Sequence, residues 1–328
     1  AGSVVGGVAW ASLPMALAAP LRGSKRDIGN DADGAVARDA VLAIAFDRKL
    51  HTRLVAHGKP LTPYQPSESL LLTDGAVEDF AITGHKEQPI TDARHGTGHQ
   101  SVTTGRSSRN LEKEVAVTFF DNLPGFAVLQ TRYRNHGAAA LQVAGWRNAG
   151  HELADAPGGF WSFAGATHTD RRDWLRPLAA GFDQRNTLAM DSSDYGGGIP
   201  MADIWRRDVG LAVGHVEPVA RLLDLPVRKT AGGAHIAVES PQASTLAPGQ
   251  TLVTERTLLA VHTGDYFAPL RQYKQYMEAE GIVAPQAPDS AFAPVWCTWG
   301  YGRDFNIKQI MDTVPKAREL GFGWVVLD

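Results

Sequence analysis

The chain carries one cysteine, Cys297, so no disulfide can form within it. That suits a reducing cytoplasm or a bacterial periplasm and selects neither. It also lacks a charge of one sign: 32 Lys and Arg stand against 35 Asp and Glu, a formal net charge of −3. Nucleic acid or an anionic membrane would favour a basic face, so neither is expected as a partner. Beyond the apolar start, no stretch reaches the roughly 20 apolar residues that a membrane-spanning helix needs. Residues 41–263 contain no internal repeat and no low-complexity segment.

What is present is ordinary for a soluble globular protein: 44% hydrophobic and 20% charged residues. A length of 328 residues predicts about two domains of roughly 100–200 residues each. A large core is feasible at this size. Eight Trp and seven Tyr are notable. Aromatic rings can cover the flat apolar C–H face of a sugar, although in a β-rich protein most of them fill the core.

The start, Val4 to Ala19, is small and apolar (VVGGVAWASLPMALAA), and Ala16-Leu17-Ala18 fits an A-x-A processing site. It reads as a clipped signal peptide, which predicts a secreted or periplasmic protein. The alternative is an alanine-rich disordered extension. Leu21 to Ala40 is polar and charged and reads as a flexible lead-in.

From Val41 to about Thr263 the chain alternates with period two over short runs. Val41–Phe46, Glu114–Phe120, Phe126–Tyr133 and Leu141–Trp146 are such runs, with a turn at Asp121–Gly125. Leu211–Val213, His235–Glu239 and Thr251–Val261 continue the pattern. Many short runs punctuated by Gly, Asn and Pro predict a mainly β fold, an antiparallel sandwich over 41–281.

The pattern changes at Gly264. Tyr266–Glu280 places Phe267, Leu270, Tyr273 and Met277 near one helical face, with Asp265 as cap and Gly281 as stop. Residues 282–294 hold Pro285, Pro288 and Pro294 and predict a semi-rigid linker. Next come an apolar strand, Val295-Trp296-Cys297-Thr298-Trp299, a helix, and a second strand, Trp324-Val325-Val326-Leu327, ending at Asp328. Asn306 and Gln309 form a capping box for that helix, and Gly321 stops it. Ile307, Ile310, Met311, Val314, Ala317 and Leu320 give it one apolar face, and Pro315 should kink or restart it. A parallel strand–helix–strand unit needs a sheet around it, so the chain reads as the N-terminal part of a longer protein.

The residues Val295–Trp299 and Gly321–Asp328, with the β-type region before them, resemble the α-galactosidases of glycoside hydrolase family 36. The resemblance covers nearly the whole chain after the apolar start. It implies a large β-supersandwich, then the first βαβ unit of a (β/α)8 TIM barrel over 295–328. It also implies retaining hydrolysis of α-linked galactosides by two aspartates on later barrel strands, without a cofactor. No catalytic residue is therefore assigned here. Carried over by motif are Trp299, which would line the sugar pocket, and Asp328, which would accept hydrogen bonds from sugar hydroxyls. The same chain without those aspartates is expected to be inactive alone. Rival readings are a non-catalytic carbohydrate-binding or assembly module, and an α-glucosidase or α-N-acetylgalactosaminidase. Substrate linkage, substrate length and assembly as a homo-oligomer are left open.

Weaker constellations complete the reading. Asp194 and Tyr195 stand in Ser192–Pro200, a loop with three glycines and no P-loop lysine, as candidate sugar contacts; Trp205 beyond them reads as core. Trp161 and Trp174 flank a polar stretch that reads as a solvated surface loop. His95 and His99 stand four apart, but the glycines between them argue against a helical metal pair, so no metal site is assigned. Cys297 reads as a buried, inert thiol.

Overall fold

A computed structural model describes residues 34–166, 175–187, 198–301 and 304–327. Among these, an antiparallel ten-stranded sheet faces an antiparallel seven-stranded one. A four-stranded sheet gathers the first strands, Val36–Arg38 to Lys59–Pro60. The expected apolar signal segment and Trp174 lie outside the described residues. No described helix is long and apolar enough to cross a membrane.

The ten-stranded sheet is built by two separate parts of the chain. Phe80–Asp92, Gly96–Ser107, Leu111–Phe120 and Phe126–Asn135 pair in sequence order. Phe126 to Leu129 then pair with Ala260 to Thr257, a strand more than a hundred residues onward. That strand, Thr257–His262, pairs with Gly210–His215, which pairs with Gly198–Trp205 and so with Trp161–Ala166. The predicted turn is closed by bonds from Leu123 N–H to Phe120 O (3.0 Å) and Phe126 N–H to Leu123 O (3.1 Å).

Period-two sequence explains the layering. In Phe126–Leu129 and Leu258–Val261, alternate residues enter two different cores. Ala127, Leu129, Leu259 and Val261 pack between the two large sheets. Phe126, Val128, Leu258 and Ala260 pack on the outer face. Each fully buried Leu or Phe contributes about 1.5–3 kcal/mol. Between the sheets one polar group is fully satisfied: the Asn148 amide donates to the hydroxyls of Thr254 (2.9 Å) and Thr257 (3.1 Å) and accepts from Thr131 (3.1 Å). A saturated buried network of this kind fixes register rather than weakening the core.

The outer face is covered by α1, Phe267–Ala279. Its predicted stop holds: Gly281 adopts φ +93°, open to glycine alone without strain. Asp265 Oδ1 accepts from Phe267 N–H at 3.1 Å, as a cap would, although the helix is entered through Tyr266. Of the predicted apolar face, Leu270, Tyr273 and Met277 do pack on the outer core, and Phe267 does not. Phe267 is exposed, and Pro269, Tyr276 and Met277 are the buried positions. The cause is tertiary: Tyr266 takes the inner aromatic place by stacking on Phe163 (4.6 Å between centroids), and Tyr276 packs on Phe126 (5.7 Å).

Beyond an irregular stretch, strands Val295–Cys297 and Trp324–Val326 pair in parallel around α2, Ile307–Glu319. The capping box is formed: Gln309 N–H donates to Asn306 Oδ1 (3.0 Å), and Asn306 N–H to Gln309 Oε1 (2.9 Å). Pro315 does not end α2, which continues through it to Glu319. It removes the donor that would serve the Met311 carbonyl, and Met311 is exposed, so water can serve it instead.

Candidate functional site

The parallel register sets the geometry at the ends of the two strands. Val295 pairs with Trp324, Trp296 with Val325, and Cys297 with Val326. Trp299 stands two residues past Cys297, the last paired residue of its strand. Trp299 lies on a 3-10 turn, Thr298–Tyr301, and is 69% exposed, while Thr298 beside it is buried. An indole this open can cover an apolar sugar face. Asp328 lies outside the described residues, as do Asp194 and Tyr195. Of the four predicted sugar contacts, the structure thus places Trp299 alone. Cys297 is half-buried rather than fully enclosed.

Around α2 much apolar surface is uncovered. Ile310 and Ala317 are buried, but Ile307, Met311 and Leu320 on the same helix are exposed. So are Trp324, Val325 and Val326 of the second strand. The expected apolar face is therefore present, with part of it unpartnered among the described residues.

The sandwich places other candidates elsewhere. Trp205 is half-buried against Tyr266 (5.7 Å), as a core residue would be. Trp161, its cross-strand partner, is exposed. His95 and His99 do not face one ligand: His95 stacks on Tyr276 (4.0 Å) and His99 on Phe119 (5.3 Å). A surface pocket lined by Glu112, Glu114, Arg132, Arg134 and Thr251 sets charges of both signs side by side. It offers no aromatic wall to a sugar.

Two buried polar arrangements escaped the sequence reading. Asp203 and His262 pair at 3.0 Å between Oδ1 and Nε2, with side chains 0% and 4% exposed. Gly210 makes room for them, because a Cβ there would sit 2.2 Å from the His262 ring. Burial raises the Asp203 carboxyl above its ordinary range, against the lowering bond from His262. The second is a cluster on Glu280. The only sequence signal for either was a lone charge in or beside an apolar run, which is common on surfaces.

The two-sheet sandwich leading into a parallel strand–helix–strand unit is matched by solved structures. An α-galactosidase from Lactobacillus brevis superposes with TM-score 0.58 at 12% identity, covering 91% of this chain and 49% of that one. A family 36 α-galactosidase from Geobacillus stearothermophilus, solved with stachyose, gives 0.53 at 14% identity, covering 90% and 50%. The fold over the described residues is thus that of family 36 α-galactosidases, as the motif resemblance implied. A curated relative, the A type blood α-D-galactosamine galactosaminidase of Flavonifractor plautii, is 26% identical over 258 residues, 77% of this chain and 24% of that protein. No protein-family model matches the chain. The chain spans about half the length of these solved structures and about a quarter of the curated relative.

Proposed function

We propose that the chain supplies the sandwich and the first barrel unit of a retaining hydrolase of α-linked galactosides. The observation that carries this is Trp299, held open at the end of the first parallel strand, in a chain with the α-galactosidase fold. In barrel enzymes the C-terminal ends of the strands are where sites are built. Trp299 would cover the apolar face of the sugar, and Asp328 would accept bonds from two hydroxyls. Retaining cleavage needs two carboxyl groups about 5–5.5 Å apart. By resemblance these come from later barrel strands, so residues 1–328 alone should not turn over a galactoside. On this reading residues 41–281 form the sandwich domain, 282–294 the linker, and the exposed face of α2 is covered by further barrel elements.

The curated relative supports a second specificity, an α-linked galactosaminide, because its printed name is that of a galactosaminidase. The test compares p-nitrophenyl α-galactoside, α-galactosaminide, α-N-acetylgalactosaminide and α-glucoside on the protein with its barrel and on residues 1–328. Turnover of a galacto-configured substrate by the former alone is expected, with KM raised at least tenfold by Trp299→Ala. Turnover of the glucoside only, or of none, would overturn the proposal.

A further inference from the structure

Glu280 directly follows α1, where the helix carbonyls concentrate negative partial charge. A carboxylate there works against the helix, yet this one is 5% exposed. Two arginines and a histidine hold it. Arg94 Nη1 lies 2.7 Å from Oε2, while His95 Nε2 and Arg256 Nη1 lie 3.1 and 3.0 Å from Oε1. Burial alone would raise the Glu280 carboxyl, but the bonds from His95 and Arg256 outweigh it and hold the group below its ordinary range.

These partners come from two other parts of the sheet. Arg94 and His95 form the tip between strands Phe80–Asp92 and Gly96–Ser107, where Asp92 Oδ1 accepts from both of their backbone N–H groups (2.8 and 3.0 Å). Arg256 immediately precedes strand Thr257–His262, and its backbone N–H donates to Glu217 (2.7 Å). The helix closes on the same point: Gly281 N–H reaches Glu278 O (3.0 Å) and Ile282 N–H reaches Met277 O (2.9 Å). From there residues 282–294 depart.

We propose that Glu280 is a positioning residue: it ties the hairpin tip and the Arg256 segment to the end of α1, and so fixes where and in what direction the linker leaves the sandwich. The strand–helix–strand unit that bears Trp299 is placed by that exit; its link to a sugar site rests on the function proposed above. The Glu280 carboxylate is desolvated, and close bonds to a desolvated charge hold more rigidly than solvated pairs, because the low dielectric strengthens each bond.

The test uses spin labels on Lys86→Cys, in the hairpin, and Lys316→Cys, on α2, in a Cys297→Ser background. Pulsed dipolar spectroscopy reads the spread of distances between them. Glu280→Gln is expected at least to double that spread while the melting of the sandwich is unchanged. Arg94→Ala should widen it less, because that side chain is 61% exposed. An unchanged spread would overturn the proposal. So would a fall in sandwich melting equal to that of a core variant, because Glu280 would then support the sandwich itself. The readout needs no catalysis, so a protein without glycosidase activity would defeat the function and leave this result standing.

Discussion

Two apolar strands have opposite fates in this molecule. Thr257–His262 (TLLAVH) is buried at every position, and Trp324–Val326 (WVV) is exposed at every position. Composition does not separate them; neighbours do. The first lies between two paired strands, with the opposing sheet on one face and α1 on the other. The second is paired on one side with Val295–Cys297. A hydrophobic residue contributes stability in proportion to the area that neighbours remove from water, not to its own hydrophobicity.

The largest effect expected from that contrast is a core truncation. Phe126 is fully buried, and Phe126→Ala should lower the unfolding free energy of the chain by about 3–5 kcal/mol. Val325 is 36% exposed. Val325→Ala should cost about 0.5 kcal/mol or less, as exposed substitutions do. Urea unfolding followed by tryptophan fluorescence measures both. Equal losses would break the comparison.

The same contrast explains what could be read from the sequence. The strands around Val117, Val128 and Leu259 were legible because period two writes burial directly into residue order. The α2 cap was legible because Asn306 and Gln309 are local partners three residues apart. The inward place of Tyr276 and the outward one of Phe267 were not: Tyr276 packs on His95 and Phe126, which come from a distant hairpin tip and a distant strand. Nor was the Glu280 cluster, whose partners are 24 to 186 residues away. Asp194, Tyr195 and Asp328 remain candidates of the sequence alone.

A second effect, smaller for either histidine taken alone, is acid sensitivity. Burial, aided by the charge of His235, pushes the fully buried His151 down to about 3, and burial pushes His215 to about 4. Both are neutral in the folded chain at neutral pH. The unfolded chain takes up their protons near the ordinary histidine value of about 6.5. Their stability contribution is therefore complete above about pH 6.5, and is lost as pH falls towards the folded values. The slope approaches about 1.4 kcal/mol per pH unit for each histidine. Residues 295–328 contain no histidine. Urea midpoints of the sandwich should decrease from about pH 7 to about pH 4, while hydrogen-exchange protection of α2 stays flat. His151→Gln should flatten part of the sandwich curve, and an unaltered slope would remove His151 as its cause.

The smallest effect sharpens the comparison most, because it asks whether the two regions unfold together. Asn306→Ala deletes the bond to Gln309 N–H and should cost α2 about 1 kcal/mol. With Ile307, Met311 and Leu320 exposed, α2 has few tertiary contacts to absorb that loss. Its amides should exchange about fivefold faster, the factor that 1 kcal/mol implies for a local opening. Amides of Thr257–His262 should keep their protection, since they open only when the double-faced core opens. If both regions lost protection equally, the exposed strand and the buried strand would belong to one cooperative unit. The difference in their burial would then have no counterpart in stability.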